Sequence, residues 1–150
     1  MTGAAPQLVY GTCVALRGVA ALLQGGSASG KSDLALRFVL ETAPDLDAAL
    51  VADDQVQIER LGNRLVARPP STIAGRIEVR GLGIITLPYL AEAELRLLIR
   101  LADDYADVPR LPRWDEDSEE LCGLGLPVIA LAPFEPSAAL KLRLALQRVA

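Results

Sequence analysis

The sequence predicts an α/β fold, a mixed β-sheet that carries one helix directly after a glycine-rich loop and a second helix at the C-terminal end. Three observations predict it. Short apolar runs bounded by turn residues are typical of buried strands. The glycine-rich stretch Gly25–Ser32 separates one such run from a helical pattern. Pro136 precedes a final amphipathic stretch and suits the first turn of a helix. The 150 residues suit one domain with a hydrophobic core, so we expect a single domain over 1–150.

The first elements are a hairpin and a helix. Cys13–Leu16 and Val19–Leu23 are apolar runs joined by an Arg-Gly pair, which is typical of a hairpin turn. The second run leads directly into the glycine-rich loop. Apolar side chains then recur at helical spacing over residues 34–40, and Pro44 ends the pattern. The loop therefore lies between a strand and a helix.

The middle of the chain predicts further strands. Ala48–Ala52 is a short apolar run that ends at two aspartates, and Arg64–Ala67 predicts a strand before an irregular crossing at a Pro-Pro pair. Residues 76–80 alternate between apolar and charged side chains, so we expect the strand there to bury one face. Leu95–Leu101 has polar flanks, which favours a strand over a helix.

The last third of the chain predicts a loop, a strand and a helix. Residues 103–120 are polar and interrupted by prolines, which is typical of a loop. The apolar stretch over residues 126–134 predicts a buried strand. We expect the final helix to run to about residue 149.

Composition excludes several classes of function. The net charge of −4 argues against nucleic acid as a partner, because no excess of cations exists to release its counterions. The chain has no histidine, which excludes a Ser-His-Asp triad and a His-ligated metal. Cys13 and Cys122 form no Cys-x-x-Cys pair and predict buried thiols in a reducing compartment, the cytoplasm. No secretory signal is visible. The uncharged run Leu121–Phe134 is too short to span a bilayer, so we expect no membrane partner.

The glycine-rich loop has the spacing G-x-x-x-x-G-K-[ST]. Consecutive backbone N–H groups at a helix N-terminus bind anionic oxygens, and small residues let phosphates approach. Lys31 would neutralise the β- and γ-phosphates, and Ser32 would offer its hydroxyl to Mg²⁺. A surface turn with a solvated lysine is the alternative, and the strand–loop–helix context favours the phosphate site. The predicted nucleotide-binding residues are Gly25, Gly26, Ser27, Ala28, Ser29, Gly30, Lys31 and Ser32.

Two neighbouring carboxylates follow the strand after the loop helix. Asp53 and Asp54 lie 21 and 22 residues beyond Ser32, the length of a helix and a return strand. A carboxylate there can hold Mg²⁺ or accept a proton from an attacking hydroxyl. A solvated acidic turn is the alternative.

Charged side chains elsewhere give weaker signals. Glu78 and Arg80 share a strand face, which suits either a surface ion pair or a metal carboxylate with a phosphate-facing cation. The adjoining Gly81–Gly83 stretch suggests a close backbone approach. Arg110 and Arg113 lie in the polar loop, where an arginine is either solvated or delivered to a transferring phosphoryl group.

Two stretches, "LVADDQVQI" and "RPPSTIAGRIEVRGLGIITL", together with the loop resemble the catalytic domain of bacterial HPr kinase/phosphorylase. The family signature E-x-R-G-L-G-I-I is filled from Glu78 to Ile85, and the resemblance covers about residues 7–135. It implies a P-loop kinase-type fold of the HPr kinase and PEP carboxykinase-like kind. It also implies ATP and Mg²⁺ as cofactors and the small phosphocarrier protein HPr as partner.

The resemblance implies roles for individual residues. Lys31 would be catalytic, Ser32 and Glu78 would be metal ligands, Asp54 would accept the proton of the target serine, and Arg110 would be the family's loop arginine. Among the carboxylates, Asp53 is a further candidate metal ligand.

This sequence departs from the family pattern at three places. Tyr10 stands where members carry a histidine, which puts the reverse reaction, phosphorolysis of phosphoserine, in doubt unless Tyr10 is a core aromatic residue away from the site. Ala28 replaces a common glycine and would be strained by about 1 kcal/mol at positive φ. The separate N-terminal domain of longer members is not expected, and the segment after Phe134 departs from them, so assembly into a homo-oligomer stays open.

We therefore predict a cytoplasmic, Mg-ATP-dependent serine kinase that acts on HPr. Two alternatives stay open from the sequence. One is a nucleotide-binding regulatory module that has lost catalysis, and the other is a P-loop kinase for a small metabolite.

Overall fold

The structure is a computed structural model and describes residues 5–150. The strands are β1 (Gln7–Tyr10), β2 (Thr12–Leu16), β3 (Val19–Gln24), β4 (Ala48–Ala52), β5 (Gln55–Leu61), β6 (Arg64–Arg68), β7 (Arg76–Val79), β8 (Gly83–Thr86), β9 (Ala93–Leu101), β10 (Ser118–Leu121) and β11 (Leu124–Leu131), and the helices are α1 (Lys31–Glu41) and α2 (Ala138–Val149). Neither helix is long and apolar enough to cross a membrane.

Most of the strands form one curled mixed sheet. Its order is β1-β5-β6-β9-β3-β2-β4, and β11 joins beside β9 and pairs with β10. The three strands β3, β9 and β11 run parallel to one another, so their C-terminal ends lie at one edge. The glycine-rich loop leaves β3 at that edge. A separate two-stranded sheet consists of β7 and β8.

The two faces of the main sheet bury different apolar clusters. Both helices pack on one face, where Phe38 of α1, Leu142 of α2 and Ile99 of β9 share a cluster. The opposite face encloses Leu22 and Ile58 with side chains from the neighbouring strands. Because the sheet curls, β2 and β5 come into contact although they are not hydrogen-bonded neighbours. The sheet thus shields its second face without a helix.

Two β-bulges change the direction of side chains in this sheet. In β4 the register skips Val51, because Cys13 pairs with Ala52 and Val14 pairs with Leu50. In β9 the register skips Arg96, because Ala20 pairs with Leu95 and Ala21 pairs with Leu97. A bulge adds one residue and re-aims the side chains after it. The bulge in β4 lies directly before the two aspartates.

The structure confirms the predicted mixed sheet, the hairpin, the loop helix and the C-terminal helix. Three details of the sequence interpretation were wrong. The polar stretch 103–120 contains the start of β10, which is joined to β11 by backbone pairing and has no apolar pattern of its own. The helix α2 begins after Ser137, so Pro136 lies outside it. The strands β1, β5 and β8 were not predicted. β1 and β8 have only four residues each, and the alternation of polar and apolar residues in β5 was overlooked.

Candidate functional site

The glycine-rich loop joins β3 to α1, so it lies between a strand and a helix as the sequence predicts. The first residue of α1 is Lys31, and the residue before it, Gly30, has φ 98°. A side chain at Gly30 would lie 2.9 Å from Pro133 and Phe134, so the loop packs closely against the segment that follows β11. Arg37 of α1 donates to the carbonyl of Pro133 and ties the helix to the same segment.

The Lys31 ammonium lies within the loop. Its Nζ donates to the carbonyl oxygens of Gly25 and Gly26, each at 2.8 Å, and lies 3.5 Å from the Ser29 hydroxyl. These oxygens hold the positive charge at the mouth of the loop. A bound polyphosphate would replace carbonyl partners with charged ones, and charge-assisted hydrogen bonds are the stronger kind.

A carboxylate at the end of β4 links three segments of the site. Asp53 is only 9% exposed, and its Oδ1 accepts hydrogen bonds from the hydroxyls of Thr12 and Ser32, both at 2.9 Å. Its Oδ2 accepts from the backbone N–H of Glu78 at 3.4 Å. The central position of β2, which pairs with both β3 and β4, brings these residues together.

The next residue faces a different environment. Asp54 is exposed and has φ 70°, a left-handed conformation that aspartate tolerates better than most residues. Its carbonyl accepts from the N–H of Gly11 at 3.0 Å. The structure therefore separates the two aspartates into a buried, hydrogen-bonded carboxylate and an exposed one.

Tyr10 lies close to this pair. It pairs with Gln55 across β1 and β5, and its side chain is 71% exposed. The alternative that Tyr10 is a core aromatic residue is therefore wrong.

The hairpin of β7 and β8 brings Glu78 beside Asp53 through its backbone. The side chains of Glu78 and Arg80 are exposed on the same face, as the alternation predicts. Within residues 5–150 they form no ion pair. Gly81 and Gly83 have φ of 92° and 97° with open space around them, so no other part of the described chain approaches their backbone closely.

The predicted loop arginine lies apart from these groups. Arg110 lines a cavity of about 800 Å³ between α2, β11 and the loop over residues 108–118. We call this cavity the β11 groove. No residue of Gly25–Ser32 lines it. Trp114, the chain's one tryptophan, also lines the β11 groove, and its place in an otherwise polar loop was the signal that sequence reasoning missed.

Cysteine chemistry does not contribute to the site. Cys13 follows Thr12 in β2 and is fully buried. Burial raises the pKa of its thiol far above the ordinary value, so the thiol stays protonated. Cys122 is partly exposed, which corrects the expectation that both thiols are buried.

The donor set at the sheet edge suits a magnesium–phosphate complex. No group of three Asp, Glu, Cys or His side chains that could hold a metal exists among the described residues. Mg²⁺ commonly binds through one or two protein oxygens together with substrate phosphates. The Ser32 hydroxyl and the Asp53 carboxylate, hydrogen-bonded at 2.9 Å, provide such oxygens beside the loop.

Comparison with known proteins gives consistent results. The family profile described as the HPr Serine kinase C-terminal domain matches residues 3–132. An HPr kinase/phosphorylase from Clostridium acetobutylicum is 32% identical over 127 residues, which is 80% of this chain and 40% of that protein. One from Lactobacillus acidophilus is 30% identical over 81% of this chain and 39% of that protein. This chain thus spans about two fifths of the length of these relatives.

A solved structure shares the fold. The structure of the Hpr(Ser) kinase/phosphatase from Coxiella burnetii superimposes with a TM-score of 0.78 at 23% sequence identity, and the match covers 95% of each chain.

Proposed function

This chain belongs to the HPr serine kinase C-terminal domain family, and on that basis we propose that it transfers the γ-phosphate of ATP to a serine of an HPr-type phosphocarrier protein. The hydrogen bond from the Ser32 hydroxyl to Asp53, at the base of the loop that holds Lys31, is the observation that carries the proposal. It joins a phosphate-binding loop to a buried carboxylate, as a magnesium–nucleotide kinase requires.

The residues take distinct roles in this proposal. The loop N–H groups and Lys31 bind the phosphates, while Ser32 and Asp53 provide oxygens for Mg²⁺, with Glu78 beside them. When bound, the ion supplies charge neutralisation on the phosphates. Asp54 is exposed to an approaching protein and accepts the proton of its serine hydroxyl. These assignments give each step of the proposed kinase reaction to a particular residue of this chain.

Arg110 keeps its proposed role at the transferred group. Because it lines the β11 groove and not the loop, that role requires the segment over residues 108–118 to approach the nucleotide when HPr binds. The ion pairs of Arg113 lie within this exposed segment and do not tie it to the rest of the fold. The approach therefore requires the contact between Trp114 and Arg148 to break.

We propose that the activity is cytoplasmic and that phosphorolysis is weak. The reverse reaction brings inorganic phosphate and phosphoserine together, and these two anions repel each other. An imidazole, which titrates near neutral pH, would ease the repulsion between the anions, whereas a phenol does not. Tyr10 stands at the family's histidine position, next to the strand that follows Asp54. Tyr10→His should raise release of pyrophosphate from phosphoserine-HPr in excess phosphate. Reverse rates of the natural chain that equal its forward rates would contradict the argument.

The direct test is transfer from γ-labelled ATP with Mg²⁺ to purified HPr. We expect label on HPr and none on HPr whose target serine is replaced by alanine. Nucleotide binding without transfer would favour a regulatory module, to which the strained Ala28 and the Tyr10 exchange both point. Transfer to a small metabolite but not to HPr would reject the protein-kinase assignment.

A further inference from the structure

The outer edge of β11 is open over residues 128–131. The Leu131 carbonyl accepts from Ala102 N–H at 2.8 Å on the side of β9. The backbone N–H and C=O groups of alternate residues in a strand point to the same lateral side. Those of Ile129 therefore also point toward β9. Val128 N–H donates to the backbone carbonyl of Asp117 at 3.0 Å on the other side. The Ala130 N–H and carbonyl and the Val128 carbonyl therefore point outward.

These outward groups have no hydrogen-bond partner among residues 5–150. The pairing of β10 with β11 stops at Ser118 and Pro127, and only the single bond from Val128 continues it. An unpaired strand edge is a template for another extended chain.

The β11 groove runs along this edge. One wall is the α2 face of Lys141, Leu144, Ala145 and Arg148, which recur at helical spacing, and the other is the loop with Trp114. The backbone of Val128–Leu131 lies between the walls. An added strand needs about 4.8 Å of lateral space, and the cavity of about 800 Å³ is large enough for a short segment.

The charges of the groove leave an excess of cations. Arg100 is paired with Glu119 at 2.6 Å, and Lys141 is paired with Glu135 at 3.2 Å. The lining carboxylates Glu116 and Asp117 are both paired with Arg113.

Two lining cations remain, and neither has an ion-pair partner among the described residues. They are Arg110 and Arg148, and the Arg148 guanidinium lies 4.8 Å from the ring centroid of Trp114. Because Arg113 offsets only one of the two lining carboxylates, the groove keeps a net surplus of one positive charge, which favours an anionic occupant.

We propose that the β11 groove binds an extended acidic peptide segment as an added strand. The peptide's carbonyl accepts from Ala130 N–H, and its N–H groups donate to the Val128 and Ala130 carbonyls. Alternate side chains then point to the two walls. The apolar ones pack against Trp114 on the loop wall, and the acidic ones reach Arg148 on the α2 wall. The site is separate from the phosphate loop, and its peptide binding does not depend on the proposed kinase activity.

Probe peptides test this directly. The probe is Ac-Glu-Val-Glu-Val-Glu-Val-NH₂, compared with its lysine-for-glutamate counterpart and with a form N-methylated at alternate residues. Trp114 is the chain's one tryptophan, so its fluorescence reports occupancy of the groove. The Ala130 amide, followed by ¹H–¹⁵N NMR and hydrogen exchange, reports the backbone bond. We expect saturable binding of the acidic probe with a Kd at or below about 1 mM and slowed exchange at Ala130.

Variants of the chain locate the binding. Ala130→Pro removes the outward N–H without breaking the ladder to β9, since proline is tolerated on an edge strand, and should abolish binding of the probe. Arg148→Gln should weaken it about fivefold by NMR titration. Arg64→Gln removes the same charge from a residue that does not line the groove and should leave the Kd unchanged.

The proposal fails on any of three results. One is the absence of a response at Trp114 and Ala130 up to about 5 mM acidic probe. The second is equal binding of the N-methylated or lysine probe to the natural chain, a measurement that does not depend on whether Ala130→Pro folds. The third is a homodimer in sedimentation that Ala130→Pro abolishes, because a second copy would then be the occupant.

Discussion

Asp53 and Lys31 at the phosphate loop have hydrogen-bond partners in the buried interior or on the backbone, whereas Arg113 beside the β11 groove has exposed partners. Asp53 is 9% exposed and accepts three hydrogen bonds. Arg113 is 66% exposed and is paired with Glu116, which is 68% exposed. Removing a buried partner leaves a polar group unsatisfied and costs more than breaking a surface ion pair. The comparison therefore predicts large effects at the loop and small ones at the groove.

The largest expected effect is on ATP affinity, and it should distinguish substitutions of the chain's two lysines. Lys31→Ala removes the cation at the phosphates, and we expect ATP affinity to fall at least about 100-fold, since charge-assisted contacts in partly dehydrated sites are strong. Isothermal titration calorimetry measures it. Lys141→Ala, in the β11 groove, is the matched control and should leave ATP affinity unchanged. Equal affinities in both folded variants would reject the phosphate site.

Substitution of Asp53 should lower stability, whereas substitution of Asp54 should lower the rate of phosphoryl transfer. In Asp53→Asn one amide N–H faces another donor, Thr12, Ser32 or the Glu78 N–H, so we expect a loss of about 1–3 kcal/mol in the free energy of unfolding. Urea denaturation measures it.

Asp54→Asn is the neighbouring control for stability and the test for catalysis. It should change the free energy of unfolding by less than about 0.5 kcal/mol and keep ATP binding, while phosphoryl transfer falls about 100-fold or more. Wild-type transfer rates in both asparagine variants would contradict the assignment of Asp54 as proton acceptor.

A smaller effect should come from strain within the loop. Ala28 has φ 61°, a conformation that costs an alanine about 1 kcal/mol and a glycine none. Ala28→Gly should raise the free energy of unfolding by about 0.5 kcal/mol, because the greater freedom of glycine in the unfolded chain offsets part of the relief. Gly26→Ala, at a position with open space and no positive φ, is the comparison. A destabilised Ala28→Gly would show that the strain is not relieved.

The smallest expected effect on the free energy of unfolding comes from an exposed arginine beside the β11 groove. Arg113→Gln removes two exposed ion pairs, and the free energy of unfolding should fall by less than about 0.5 kcal/mol. Arg68→Gln loses a less exposed pair with Glu59 at 2.6 Å and should cost more in the same urea titration. A larger loss for Arg113→Gln would mean that the loop over residues 108–118 is more rigidly held than its exposure indicates.

Predictions from sequence succeeded where neighbouring residues determine the conformation. The apolar runs of β2 to β4, the hairpin turn and the loop helix follow from local pattern, and the structure confirms them. The strand β10 was missed because Ser118–Glu120 has no apolar pattern and is ordered by pairing with β11. Tyr10 had two interpretations, because sequence spacing does not show which side of an edge strand is covered.

Local sequence is sufficient to specify the glycine-rich loop, its helix, and the presence of two carboxylates after the next buried strand, because these depend on residues close together in the chain. Long-range packing specifies that Asp53 contacts Ser32 while Asp54 faces solvent. That difference depends on the register of β4 against β2 and the bulge at Val51, which pairing between distant segments sets. The β11 groove is likewise a product of packing, since it forms where α2, an open strand edge and a distant loop meet.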